Sequence, residues 1–482
     1  MLLSCARTRK ERDRIVRAKI VLNRGRKPRL EQGHPWIYAN EMERMEGEAV
    51  PGSLVDVVDH KGRYLGTGYW NPKSQIIVRI AAYRPIEEMD HVFFVERLQQ
   101  CKIHRERFVK DQNDCRLVYG EADFLPGLTV DRFGDVLVVQ LLTLGMDIRR
   151  ETLVAALIEV FAPAGIYERS DVGVRALEGL EERTGVLYGD CPRIVEITEN
   201  GLLMEVDIVQ GQKTGYFYDQ RENRASIAPL MTGFGYRSGI RLEAREQQDL
   251  PEAWMGVEER EGKVLVPVNA NGKVVSFPYW DGATVLECFA HTGSFTLHAC
   301  SYGAKKVTCL DVSEHAIETA RRNVERNGFT DRVEFVVADA FDYLRTQVKG
   351  LEERKNRAGG KADTSKPLGD AGRTWDVVIL DPPAFAKTKS AVPGAVRGYK
   401  DINLQGMKLV NEGGYLVTAS CSYHMRPELF LETVQAAAAD AGKLLRLVEW
   451  RAAGKDHPQL LGVQEGHYLK FAIFEVRSKE TL

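Results

Sequence analysis

From residue 283 onward, short apolar runs alternate with segments of helical character, and this alternation constrains the fold more than any other feature of the chain. Thr284–Cys288, Lys306–Asp311, Val333–Asp339, Trp375–Asp381 and Tyr415–Cys421 read as strands buried on both faces. Helices are expected near Ser294–Tyr302, Ser313–Asn327, Asp401–Val410 and Pro427–Ala441. Alternation of this kind implies a parallel, doubly wound sheet. Leu445–Trp450 and Tyr468–Val476 complete seven strands.

A chain of 482 residues holds more than this one domain. Residues 18–83 alternate in strand fashion, with turn signals at Lys61-Gly62 and Asn71-Pro72 between Leu54–Val58, Tyr64–Tyr69 and Gln75–Ile80. Residues 84–210 mix helix and strand, with a helix over Glu87–Lys110, a strand at Val136–Leu142 and a helix near Arg149–Phe161. The reading is therefore a basic tail over 1–17, a small β domain over 18–83, a central α+β domain over 84–210 and the doubly wound domain over 211–482. Two insertions, near 231–282 and 350–374, are expected to be surface segments, mobile or disordered.

Charge is distributed unevenly. The first 84 residues carry 17 lysines and arginines against 9 aspartates and glutamates, and the remainder 49 against 59. A basic front on an acidic chain suits a module that binds a polyanion joined to an enzyme. No stretch approaches the roughly 18 uncharged apolar residues of a membrane span, so a soluble protein without a membrane partner is expected. The eight cysteines form no C-x-x-C pair and show no zinc or disulfide spacing, which fits a reducing, cytoplasmic compartment and no metal.

Ligands of doubly wound sheets bind at the carboxyl ends of the strands. The first expected strand ends in Glu287-Cys288-Phe289-Ala290-His291-Thr292-Gly293, where Gly293 permits close backbone approach. The second ends in Asp311, 18 residues on, a carboxylate placed to accept from both ribose hydroxyls of an adenosine. The third ends in Asp339, placed to receive an adenine amino group. NAD and S-adenosylmethionine (SAM) both satisfy this pair. The fourth strand separates them, because Asp381-Pro382-Pro383-Ala384-Phe385 offers a carboxylate on a stiff loop followed by an aromatic, as clamping of an extruded nucleobase requires. Cys421 ends the fifth strand, so thiol and carboxylate can face one cavity. A thiolate added to carbon 6 of a pyrimidine makes carbon 5 nucleophilic enough to take a methyl group. The base that removes the carbon-5 proton is not named by the sequence. Methylation of a purine amino group or of uridine carbon 5, and a non-catalytic RNA-binding assembly role, remain as alternatives.

Gly33-His34-Pro35-Trp36-Ile37-Tyr38, taken with Gly66-Thr67-Gly68-Tyr69-Trp70-Asn71-Pro72-Lys73-Ser74, resembles a PUA domain, an RNA-binding β barrel. Its aromatics, Trp36 and Trp70 among them, read either as base-stacking or as core residues. Gly211–Arg221, Asp381–Lys387, Arg397–Asn403 and Ser420-Cys421-Ser422 resemble the bacterial 23S ribosomal RNA cytosine-5 methyltransferases. That resemblance implies a class I methyltransferase domain with a Rossmann-like seven-stranded sheet, SAM as cofactor, large-subunit ribosomal RNA as partner and a homodimer. It implies Cys421 as nucleophile and Asp381 as the contact to the base edge, with Pro382, Pro383, Phe385 and Lys387 around the substrate. It further implies that Phe289, His291, Thr292, Gly293, Asp311 and Asp339 hold SAM, with Asp219 and Arg221 closing over it. The chain departs from the family at His291, where tyrosine is common, in the long separation of Gly215 from the first strand, and at Ala384, where other RNA cytosine-5 methyltransferases carry a second cysteine nearby.

Overall fold

A computed structural model of the chain describes residues 17–232, 241–246, 259–260, 263–268, 271–272, 282–358 and 371–479. It divides into two compact units. The first comprises residues up to 197, 206–218 and 455–466; the second comprises 198–205, 219–454 and 467 onward. Two segments that the sequence assigns to the doubly wound domain, 211–218 and 455–466, thus belong to the first unit.

The first unit contains two sheets. One has six strands in the order Trp36–Tyr38, Ile76–Ala82, Tyr64–Trp70, Leu54–Val58, Lys19–Leu22, Met42–Glu46. Its core gathers Ile20, Val55, Val57, Val78 and Trp70, so Trp70 is a core residue, whereas Trp36 is half-buried. The other has five strands, Arg183–Gly189, Gly165–Ser170, Val136–Leu141, Leu128–Phe133 and Asp114–Tyr119 in that order. The helices His91–Phe108 and Arg150–Phe161 pack against each other and contribute Phe94, Leu98 and Leu157 to its core. The first helix starts one turn later than the sequence suggests because Asp90 Oδ1 accepts from Phe93 N at 2.9 Å and caps it there.

One side chain fastens this unit together over long sequence distances. Arg105, fully buried, donates to both oxygens of Asp123 at 2.7 and 2.6 Å, to Arg116 O and to Asp456 O at 3.0 Å. Asp456 in turn accepts from Arg116 N at 3.1 Å and pairs with His457, whose ring lies 5.0 Å from that of Tyr119. A buried ion pair is tolerated only when its remaining lone pairs and protons are also satisfied, and here they are.

The second unit is built on one seven-stranded sheet: β1 (Thr284–Cys288), β2 (Lys306–Asp311), β3 (Val333–Val337), β4 (Trp375–Leu380), β5 (Val410–Ser420), β6 (Lys443–Arg451) and β7 (Lys470–Ser478). Their order is 3-2-1-4-5-7-6. All neighbours are parallel except β7, which runs antiparallel to β5 and β6. The order reverses between β1 and β4, which makes their carboxyl ends the ligand crevice expected of an open α/β sheet. Five helices alternate with the parallel strands: α1 (Ser294–Ser301), α2 (Glu314–Arg326), α3 (Ala340–Ala358), α4 (Val392–Lys408) and α5 (Pro427–Asp440).

Three local expectations are corrected. β3 ends at Val337 rather than Asp339, because Asp339 turns out of the strand and caps α3. The helix expected at Asp401–Val410 is α4, which begins at Val392 because Pro393 sits in its first turn, the one place where proline initiates rather than breaks a helix. Within the 231–282 insertion, expected to be mobile, Arg241–Arg245, Glu259–Arg260 and Lys263–Val268 form an antiparallel sheet. Val264, Val266 and Val268 alternate onto its buried face. Residues 233–240, 247–258, 261–262, 269–270 and 273–281 of that segment, residues 359–370 of the second insertion and the tail to residue 16 lie outside the described residues. Among the described residues, no helix is long and apolar enough to cross a membrane.

Replacing Arg105 by methionine leaves Asp123 as an uncompensated buried carboxylate, so the variant is expected to lose about 3–5 kcal/mol in the unfolding transition of the first unit, measured by urea denaturation.

Candidate active site

The loop that leaves β1 carries the most unusual backbone in the second unit. Phe289, His291 and Gly293 all have positive φ, at 63°, 50° and 79°. Glycine adopts this freely, but a residue with a side chain is held there at a cost of about 1 kcal/mol or more. Surrounding bonds hold the shape: Ala290 N donates to Leu310 O at 2.9 Å, His291 N to Asp311 Oδ2 at 2.8 Å, and Asn323 Nδ2 to Thr292 O at 3.1 Å. A Cβ on Gly293 would lie 3.0 Å from Ala320 Cβ, so loop and α2 approach as closely as glycine allows. Burial keeps the His291 imidazole below its usual pKa, favouring the neutral ring.

Asp311, at the end of β2, accepts one backbone bond on each oxygen, from His291 N at 2.8 Å and Ser313 N at 2.9 Å. Each oxygen keeps a second acceptor site, which is what a diol requires. Asp339 is exposed and accepts from Asp342 N at 3.1 Å, so it serves as the cap of α3. Asp219 is buried and accepts from Tyr468 Oη at 2.5 Å. Arg221 is also buried, with Nε 3.5 Å from Glu199, whose carboxylate Arg224 holds with two bonds. This cluster continues through Asn200 to His298, whose pKa burial pushes down to about 4.

The loop after β4 meets the end of β5. The register pairs Leu380 with Thr418, so Cys421 comes level with Pro383, two residues beyond Asp381. Cys421 Sγ, half-buried, lies 3.8 Å from Pro382 O. Ala386 N donates to Ser422 Oγ at 3.1 Å, and the same hydroxyl contacts Tyr399 Oη. Phe385 packs against Tyr399 and Phe341, with ring centroids 4.6 and 5.9 Å away. Pro382 is buried, while Pro383 and Lys387 are exposed.

Three residues at this place were not singled out from the sequence. Gln220 donates to Asp381 Oδ1 at 2.8 Å. Its amide is oriented by Asn223, which donates to Gln220 Oε1 at 2.6 Å and accepts from Arg451 Nε at 3.0 Å. Lys470, at the start of β7, is buried and donates to Ser422 O at 2.7 Å and Tyr468 O at 2.6 Å. Burial lowers its pKa to about 8, against an opposing pull from Cys421, its near electrostatic neighbour. Glu287, buried in β1, accepts from Thr296 N and Oγ1, yet burial raises its pKa to about 8, with Asp381 adding to the rise. The signals were a single glutamate in an apolar strand and a lysine opening Phe471–Phe474. Gln220 lay between two residues already noted.

A PUA-like domain family matches residues 20–83, and the family described as conserved hypothetical protein 95 matches residues 274–356. Ribosomal RNA large subunit methyltransferase I of Shewanella denitrificans is 38% identical over 463 residues, covering 95% of this chain and 99% of that protein. The Escherichia coli protein of the same name is 36% identical over 94% of this chain and 98% of its own length. Among solved structures, a Streptococcus mutans chain described as a SAM-dependent methyltransferase superposes with a TM-score of 0.66 at 19% identity, covering 95% of this chain and 99% of that one. A methyltransferase complexed with S-adenosylhomocysteine gives 0.68 at 19% identity and the same coverage. The sheet and these superpositions define a class I methyltransferase fold, carried behind a PUA-like domain. The relatives are similar along nearly their whole length, and the chain belongs to the ribosomal RNA large subunit methyltransferase I family.

Because Glu287 is raised well above an unfolded glutamate, its contribution to stability is full below about pH 4.5 and is lost as pH rises through about 8. The Tm of the wild type is expected to fall over that window by calorimetry, and Glu287→Gln, neutral throughout, to flatten the fall.

Proposed function

We propose that the chain transfers a methyl group from SAM to carbon 5 of a cytosine in large-subunit ribosomal RNA, in the cytoplasm, through a covalent adduct with Cys421. The observation that carries this reading is the 3.8 Å approach of the Cys421 thiol to Pro382 O, which supports a role for that thiol at the Asp381-Pro382-Pro383 loop. Family membership supports the RNA substrate, since the relatives are named for the large-subunit RNA. SAM as donor is supported by the strained loop at Phe289–Gly293 beside Asp311, which has acceptor capacity left for a ribose diol. Bound there, SAM supplies an electrophilic methyl sulfonium. Phe289, His291, Thr292 and Gly293 would shape the loop around it, Asp311 would accept from its ribose, Asp339 would receive its adenine edge, and the Asp219–Arg221 segment would close over it.

The protein's own steps follow. The Cys421 thiolate adds to carbon 6 of the flipped cytosine, and the electron pair of the 5,6 double bond moves to carbon 5 and into the ring. Asp381, its Oδ1 held by Gln220, accepts from the cytosine amino edge. Pro382, Pro383 and Phe385 wall the ring, and Lys387 stands at the exposed side toward the RNA backbone. After carbon 5 gains the methyl group, its proton passes to a base, and the electrons of that C–H bond restore the double bond and expel the Cys421 thiolate. The Lys470 ammonium, beside the thiol, stabilises the thiolate at both ends of this sequence.

Cys421→Ala is expected to reduce methyl transfer by a factor on the order of 10⁴ or more while SAM binding persists. Retained turnover points instead to direct attack by a purine amino group. Bisulfite sequencing of ribosomal RNA from cells with and without the gene reads substrate and product together: one cytosine loses its protection.

Lys470 sets a second test. Its charge is lost as pH rises through about 8, so kcat/KM is expected to fall on that alkaline side. In Lys470→Gln the rate at neutral pH is expected to drop about 100-fold, and that limb to disappear.

A further inference from the structure

The first unit contains a cavity of about 220 Å³ that the methyltransferase reading leaves unused. Three segments distant in sequence converge on it: the Trp36 strand, the turn from Tyr119 to Thr129, and the stretch from Pro458 to Gly466. Its size falls below the roughly 300–1,000 Å³ of pockets that enclose a drug-sized ligand, and suits a single ring system. Leu128, Leu142, Leu460 and Val463 give it apolar walls, Trp36 gives an aromatic one, and Glu121 and Glu465 bring carboxylates. Trp36 Nε1 donates to Glu121 Oε1 at 2.8 Å, which leaves Oε2 of the same carboxylate to accept from a ligand. Glu465 lies 3.3 Å from His34 Nε2. Although burial works against it, the His34 contact and the charge of Arg29 hold Glu465 below the usual carboxylate range, so it is an anion at neutral pH.

The cavity is rigidly built. The turn that presents Glu121 is clamped by the Arg105–Asp123 pair and by Tyr119 N donating to Asp123 Oδ2 at 2.6 Å. Tyr69 Oη donates to Pro126 O at 2.6 Å and fixes the far end of the same turn. The 458–466 stretch follows directly on Asp456, which Arg105 and Arg116 N hold. A preorganised site of this kind loses little ordering entropy when it is filled.

A second, polar cleft of about 480 Å³ is lined by Arg26, Lys27 and Arg29. Arg29 links the two, since its guanidinium stacks 4.5 Å from the Tyr38 ring and acts on Glu465. Arg26 and Arg29 each already carry a carboxylate, Glu31 and Glu41, whereas Lys27 is exposed and has no ion-pair partner among the described residues. A base pocket with acceptors inside and cations at its rim matches one nucleotide of an RNA strand, ring inward and phosphate outward.

We propose that this cavity binds an unpaired guanine of the substrate RNA, with its N1–H and exocyclic amino group donating to Glu121 and Glu465, its ring against Trp36, and its phosphate toward Lys27 and Arg29. Guanine is the base whose edge presents two adjacent donors to a carboxylate. Cytosine and adenine each pair one amino group with a ring acceptor that a carboxylate repels. The inference rests on RNA being the substrate, as proposed above, and gives the PUA-like unit a sequence preference at a position other than the methylated base.

The full-length chain is titrated with GMP, AMP, CMP and IMP by ligand-observed NMR. GMP is expected to bind at least about tenfold more tightly than the other three, IMP included, because it lacks the exocyclic amino group. Glu121→Gln is expected to erase that preference and to raise KM for RNA about tenfold while kcat and SAM affinity stay unchanged. GMP binding no better than AMP, or IMP equal to GMP, overturns the site. The nucleotide titration uses the unaltered chain, so its result does not depend on how a variant folds. Transfer to RNA is assayed separately, so failure of the pocket and failure of the methyltransferase reading give different results.

Discussion

The parallel register between β4 and β5 is the constraint on which the second unit's chemistry depends. Leu380 lies beside Thr418, so β5 runs two residues past β4 at the carboxyl edge of the sheet and Cys421 comes level with Pro383. Asp381 and Cys421, 40 residues apart in sequence, thereby reach the same edge of the sheet, with the thiol at Pro382 O. A shift of two residues along the sheet would move the thiol roughly 6–7 Å relative to Pro382. The register is secured away from the site. Asp376 in β4 accepts from Thr284 N and Oγ1 in β1 and from Asn411 Nδ2 at the start of β5, tying all three strands at their amino ends.

Orientation then passes to Asp381 from outside the sheet. Arg451 Nε can only donate, so Asn223 Oδ1 must face it. The Asn223 amide then donates to Gln220 Oε1, and the Gln220 amide donates to Asp381. One guanidinium thereby sets the sense of three successive hydrogen bonds. The donor that Gln220 brings to Asp381 Oδ1 is a neutral amide. Burial raises the neighbouring Glu287 to about 8, so at neutral pH it adds little negative charge beside Asp381.

Much of the second unit was legible in the chain because strands buried on both faces are short, apolar and regularly interrupted. β1 and β2 fall on the residues the pattern indicates, and β4 and β5 stop one residue before Asp381 and Cys421. What the pattern missed was set by tertiary contact. Asp339 is a plausible strand terminus by sequence, yet it leaves the strand because the first turn of α3 needs an acceptor for Asp342 N. The valines of Lys263–Val268 alternate clearly, but Gly, Asn and Glu around them hide a strand pair whose partners lie about 20 residues apart. Gln220, Glu287 and Lys470 were within or beside noted motifs. Their importance lies in what they touch, and no periodicity encodes that.

The first unit shows the same limit more sharply. Neither Gly120–Leu128 nor 455–466 carries a motif to which the sequence analysis gave a role. Arg105 joins them: a helix residue binds Asp123 from one segment and Asp456, 351 residues away, from the other. Burying a guanidinium is unfavourable unless every donor finds a partner, so this arginine can be accommodated only when both segments are in place. The apolar clusters of the unit would collapse without it, but they leave the turn and the strap free to take several positions. A single fully satisfied cation restricts them to one, and that restriction, rather than any gain in net stability, creates a cavity with two carboxylates at its lining.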